Sequence, residues 1–102
     1  MNKYLLLFLY VIIKIMIKIE NKIYYITFNL CEDAIYVELF GIKPKYRGRK
    51  YSYRIFNNLK KKFSNKPIYL NCFITLIDFY KKLGFIEINN YTDDGYFEML
   101  LK

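Results

Sequence analysis

Six cations fall within twelve positions of one stretch: Lys43, Lys45, Arg47, Arg49, Lys50 and Arg54. They belong to LFGIKPKYRGRKYSYRIFNNL, which runs from Leu39 to Leu59. No carboxylate occurs between Glu38 and Asp78. All three arginines lie between positions 47 and 54, whereas the fourteen lysines are spread along the chain. The chemistry such a cluster suits is the holding of phosphate. The stretch begins as an apolar strand, turns at Pro44 and Gly48, and continues as an amphipathic helix. In that helix Tyr51, Ile55, Leu59 and Phe63 recur every four residues and so share a face. The first-turn N–H groups of a helix have no partner within it, and that end of the dipole is positive. A strand, a cationic turn and a helix start together form a phosphate-binding device.

Composition narrows what else the chain can do. At 102 residues it predicts one domain over 1–102, with a small core. A content of 55% hydrophobic and 21% aromatic residues is too apolar for a disordered chain. Histidine is absent, which removes Ser-His-Asp and Cys-His mechanisms and most zinc sites. The net charge of +8 admits nucleic acid, an anionic membrane or a phosphorylated ligand as partner. The scattered lysines read as composition and the clustered arginines as function. Cys31 and Cys72 form no C-x-x-C pair, so the expectation is two buried thiols in a reducing compartment.

The elements that must position the cationic turn follow from periodicity. Tyr4–Ile13 is an unbroken apolar run, read as core strand in preference to a membrane anchor, because Lys14 and Lys18 interrupt its extension. Ile13, Ile15, Ile17 and Ile19 then alternate with Lys14, Met16 and Lys18, as in a half-exposed strand. Further strands are expected over 23–30, 34–42, 68–73, 85–89 and 96–101. A second helix is expected over about 76–83, with Thr75 as N-cap, Asp78 three residues on, and Gly84 as its stop. The order β-β-β-α-β-α-β-β predicts an α/β (α+β) fold: a mixed, mostly antiparallel sheet with helices covering its faces.

The segment GIKPKYRGRKYSYRIFNNL, followed by FYKKLGF and a closing hairpin, resembles the GNAT superfamily of acetyl-CoA-dependent N-acetyltransferases. The resemblance covers about residues 34–102. Arg47 and Gly48 match the start of the family's Arg/Gln-x-x-Gly-x-Gly/Ala phosphate motif, and Ile42, Pro44 and Tyr46 match its lead-in. Lys50 and Ser52 stand where the family usually has glycine. Phe79–Phe85 is similar to the family's FY-x-x-x-GF signature. The run IYLNCFITLIDFYKKLGF is locally similar to glucosamine 6-phosphate N-acetyltransferases. The amino-terminal part is shorter than in a typical member.

The resemblance implies acetyl-CoA as co-substrate and direct attack by an amine. Gly41, Ile42, Lys43, Arg47, Gly48, Arg49, Lys50, Tyr51 and Ser52 would hold the cofactor. A backbone N–H near Ile42 would polarise the carbonyl, with Gly41 marking a bulge or a close backbone approach. Tyr80 would be the general acid and Glu38, the only carboxylate of its strand, the base. Cys72 reads as a core thiol. The acceptor is an amino sugar phosphate such as glucosamine 6-phosphate, or a protein amine. The expected setting is cytoplasmic, without nucleic acid or membrane, and the sequence leaves open whether two chains pair. The alternative is a degenerate GNAT-like module that binds coenzyme A or a partner without turnover. Nucleic acid is the rival for the basic patch, but the aromatics there fall at helix-core spacing rather than beside the charges on a sheet face.

Overall fold

The structure is a computed structural model that describes residues 15–91 and 95–102. The run Tyr4–Ile13, expected as a core strand, lies outside the described residues, as do Thr92–Asp94 of the last loop. Among the described residues, six strands form one sheet: β1 Ile15–Glu20, β2 Tyr24–Leu30, β3 Ile35–Ile42, β4 Ile68–Phe73, β5 Ile86–Tyr91 and β6 Tyr96–Leu101. Their spatial order is β1-β2-β3-β4-β6-β5. Every neighbouring pair is antiparallel except β3 and β4. A parallel pair needs a crossover, and helix α1, Tyr51–Lys62, supplies it. Helix α2, Ile77–Lys82, links β4 to β5.

One core holds these parts together. It joins Ile26 and Phe28 of β2, Ile35 of β3, Ile68, Leu70 and Cys72 of β4, and Met99 of β6 to Phe56 and Leu59 of α1 and Tyr80 of α2. Both helices therefore pack on the same sheet face. Each large side chain fully buried here contributes about 1.5–3 kcal/mol. Phe56 is the hub: its ring meets Phe40, Tyr80 and Phe85 with centroids 4.8, 6.4 and 5.3 Å away. The four-residue stripe expected on α1 is displaced. Ser52, Phe56 and Leu59 are the buried residues, while Tyr51 and Ile55 are half-buried. Steps of four advance about 400°, so a run of them drifts about 40° per step off the buried face, and a step of three restores it.

Two local expectations are corrected. Thr75 does not cap α2. It sits in a 3₁₀ turn, Ile74–Leu76, and Leu76 precedes the α-helix with no side-chain cap bond. The bulge of β3 is not at Gly41, which pairs regularly with Tyr25. It lies at Glu38, since Phe28 pairs with Val37 and the adjacent Thr27 with Leu39. The extra residue shifts the phase of the strand, so that Val37 and Phe40 pack on the core while Leu39 is 61% exposed.

Candidate active site

The parallel ladder of β3 with β4 has only three residue pairs: Ile35 with Ile68, Tyr36 with Tyr69, and Val37 with Leu70. Beyond Val37 the two strands part, at the position of the Glu38 bulge. A gap in the middle of a sheet exposes backbone donors on its edges. The Lys43 N–H bonds the Ile23 carbonyl at 2.8 Å. By the alternation of an antiparallel ladder, the N–H and C=O of Ile42 then face away from β2, toward the edge that β4 has left. Arg47 Nε donates to that Ile42 carbonyl at 2.9 Å. The guanidinium thus ties the loop after β3 back onto the strand end.

On the helix side, this gap opens into a cleft of about 510 Å³. Gly41, Ile42, Arg47, Gly48, Arg49, Lys50, Tyr51 and Ser52 line it together with Tyr80. Eight of the nine residues expected to hold the cofactor thus surround one cavity with the expected acid. The ninth, Lys43, does not line it. Its Nζ is 3.2 Å from Glu20 Oε2 of β1. Arg54 also faces elsewhere, into a separate hollow with Lys62, Ile19 and Ile23. Phe40, Tyr46, Leu76, Phe79 and Leu83 complete the cleft. None of these five was among the residues expected to hold the cofactor, although Tyr46, Phe79 and Leu83 lie in the motifs quoted above and the FY-x-x-x-GF spacing places Phe79 and Leu83 one helical turn apart.

The loop presents its cations on a bent backbone. Gly48 has φ +76°, and Lys50 takes the left-handed conformation, φ 62° and ψ 20°, immediately before α1. For an L-residue this costs about 1–2 kcal/mol. No side chain caps the first turn of α1, and no acidic residue lies in it. Its free N–H groups and its dipole therefore face a cleft whose charged lining residues are the cations Arg47, Arg49 and Lys50. Ser52 is buried, which explains a small residue at that position.

At the other end of the cleft stands Tyr80, 7% exposed. Burial, and then the neighbouring Cys72 and Tyr25, push its hydroxyl up to about 12. Cys72 is itself a buried free thiol, raised first by burial, and Cys31 is a half-buried one. Tyr25 is a residue the sequence did not single out. A Cβ placed on Gly41 would lie 2.3 Å from Tyr25 Oη, so the ring lies across the glycine. Gly41 permits a close side-chain approach rather than a bulge.

Glu38 is not in the cleft. It is exposed on the other sheet face, where it lines a groove of about 220 Å³ with Tyr36, Tyr69, Asn71 and Glu98. Tyr36 and Tyr69 stack there, with centroids 5.1 Å apart. Asn29 Nδ2 donates to Glu38 Oε1 at 2.6 Å. Asn29 is 2% exposed and its Oδ1 has no partner among the described residues. A buried carbonyl oxygen left in this way costs about 1–3 kcal/mol. The cleft and the groove thus meet the gap in the sheet from opposite sides.

The family model described as Acetyltransferase (GNAT) domain matches residues 15–100. No curated protein matches the sequence. Among solved structures, the ribosomal-protein-S18-alanine N-acetyltransferase of Escherichia coli is similar with a TM-score of 0.64 at 18% identity, over 87% of this chain and 68% of that one. Anti-CRISPR protein AcrVA5 is similar with a TM-score of 0.60 at 20% identity, over 81% of this chain and 96% of that one. Escherichia coli ElaA has a TM-score of 0.62 at 20% identity; the match takes in 78% of this chain but 60% of ElaA. These identities speak to the fold, and the family model speaks to membership. With the strand gap, the cationic loop and the FYKKLGF helix assembled in one place, the chain belongs to the GNAT family of acetyltransferases, which are acyl-CoA-dependent N-acyltransferases.

Proposed function

We propose that the cleft holds acetyl-CoA and that the chain transfers its acetyl group directly to a primary amine. The observation that carries this reading is the convergence of three features on one cavity. These are the uncapped start of α1 with Arg49 and Lys50, the Ile42 N–H on the open edge of β3, and the buried Tyr80 hydroxyl. In this reading the diphosphate of the cofactor lies on the loop amides of Gly48–Ser52, and the two cations add charge-assisted contacts.

The chemistry then divides among groups on the two sides of the sheet gap. The acceptor enters from the groove, first loses one proton to Glu38, directly or through water, and presents its lone pair to the thioester carbon. The carbon–nitrogen bond forms and the carbonyl oxygen becomes an oxyanion, which the Ile42 N–H stabilises. The carbonyl re-forms as the carbon–sulfur bond breaks, the departing thiolate takes the Tyr80 proton, the new amide nitrogen gives its second proton to the tyrosinate directly or through water, and Glu38 returns its proton to solvent. A hydroxyl raised to about 12 keeps its proton throughout the neutral range, so the donor is always loaded. Acetylated amine and free coenzyme A are the products.

Thiol release from acetyl-CoA across a panel of primary amines tests the reading. Amine-dependent release is expected. In Tyr80→Phe and Glu38→Gln it should fall by about 10²–10⁴-fold, the range for loss of a positioned acid or base. Release that no amine stimulates would refute it.

A further inference from the structure

The groove on the open sheet face has a chemical bias that bears on the acceptor. A carboxylate accepts hydrogen bonds, so it is the Asn29 nitrogen that faces Glu38, at 2.6 Å from its Oε1. That fixes the Asn29 oxygen as the group left over. Asn29, Cys31, Tyr36 and Glu38 line a hollow of about 310 Å³ that shares Tyr36 and Glu38 with the groove. A buried acceptor without a partner, beside a carboxylate that also only accepts, calls for a donor with several N–H groups. An ammonium fits and a phosphate does not.

The second carboxylate points the same way. Glu98 lines the groove beyond the Tyr36–Tyr69 stack, and Asn89 Nδ2 donates to its Oε2 at 3.3 Å. Among the described lining residues of groove and hollow there is no lysine or arginine, in a chain with 17 of them. Lys66, at the Cys31 end, is held by the Cys31 and Glu32 carbonyls at 2.9 and 2.6 Å. The Tyr36 hydroxyl is raised first by burial, then by Asp33, Tyr69, Cys31 and Glu98, which agrees with a negative local field.

We propose that the groove selects a primary amine that carries a second positive charge and no phosphate, with Asn29 Oδ1, Glu38 and Glu98 as its acceptors. The inference rests on the acyl-transfer reading for which amine reacts, but the binding it describes is independent of turnover. One ammonium sits at Glu38, where it loses its proton, and the second charge is held by the remaining acceptors. An amino sugar phosphate would bring a dianion against two carboxylates. The shared chemistry, two positive charges with one on a primary amine, is found both in free polyamines and in basic peptides.

Calorimetric titration tests this, with and without coenzyme A. The probes are spermidine, lysyl-lysine amide, glucosamine and glucosamine 6-phosphate. Spermidine or the dipeptide should bind at least about tenfold more tightly than either sugar, and which of the two wins distinguishes polyamine from peptide. Glu98→Gln, which keeps the side-chain size, should remove most of that advantage and leave glucosamine unchanged. Asn29→Ala should weaken spermidine and the dipeptide similarly, provided its melting curve remains cooperative; Glu98→Gln decides the matter if it does not. Equal or tighter binding of glucosamine 6-phosphate, or a preference that Glu98→Gln leaves intact, would overturn the inference. Spermidine or dipeptide that binds without any thiol release would refute the acyl-transfer reading alone. Turnover that favours a phosphorylated or neutral amine would refute this inference alone.

Discussion

Replacing Lys50 by glycine should make the protein more stable and weaken coenzyme A binding at the cleft proposed to hold it. Lys50 holds φ 62° and ψ 20°. An L-residue in that region costs about 1–2 kcal/mol relative to its preferred conformations, and glycine has no such cost. Glycine in turn frees the unfolded chain, which takes back about 0.4–1 kcal/mol. The net gain for Lys50→Gly is about 0.5–1 kcal/mol, or a few degrees in Tm for a chain of this length. The same substitution removes an ammonium that lines the cleft. A charge-assisted contact with phosphate is worth about 1.5–3 kcal/mol when dry, and Lys50 is exposed, so about a fivefold to tenfold loss of coenzyme A affinity is expected. Urea unfolding and calorimetry read the two quantities separately. Lys50→Ala is the control: it loses the charge but keeps the strain, so affinity falls while stability does not rise. If Lys50→Gly is less stable than the parent, or no more stable than Lys50→Ala, the strain argument is wrong.

Other outcomes follow from single features. Gly48→Ala meets nothing within 4 Å, so its cost is purely that of φ +76°, about 1 kcal/mol in urea unfolding; a neutral result would contradict the loop conformation. Gly41→Ala must push the Tyr25 ring aside, and its cost of about 1 kcal/mol should vanish in a Tyr25→Ala background. Additive effects in that cycle would show that the ring does not lie on the glycine. Tyr80 has its folded-state value raised from 10.0 to about 12. Its contribution is therefore complete below pH 10 and is lost as pH rises from 10 to about 12, an alkaline loss of about 2–3 kcal/mol. Tyr80→Phe should lack that component; identical alkaline profiles for the two proteins would count against the burial of the hydroxyl.

Much of the fold was legible because it is locally encoded. β4 and β6 have the expected bounds, since Ile68–Phe73 and Tyr96–Leu101 are apolar runs set off by Pro67 and Gly95. The cationic turn was visible from residue types alone, and the cleft gathers eight of its nine expected cofactor residues with Tyr80. What the sequence hid depends on distant partners. Ile35, Val37 and Leu39 alternate as if all three faced the core. The ring of Phe56, sixteen positions beyond Phe40, instead draws that ring in at 4.8 Å, and the strand phase shifts at Glu38. That shift places Glu38 on the groove side beside Asn29, a pairing that no spacing in the sequence displays. Lys43 looked equivalent to its neighbours Lys45 and Arg47, yet β1 brings Glu20 against it. Arg47 looked like the principal phosphate ligand, but one of its nitrogens is engaged by the Ile42 carbonyl, so truncating it would disturb the loop as well as the charge.

For that reason the most direct test of the docking site spares Arg47. Coenzyme A is titrated calorimetrically into the parent chain and into an Arg49→Ala/Lys50→Ala variant, both shown to unfold at similar urea concentrations. One molecule should bind per chain, with affinity that falls as salt rises, and at least about tenfold more weakly in the variant. Coenzyme A that gives no binding heat at saturating concentration, or that binds both proteins equally well, would contradict it.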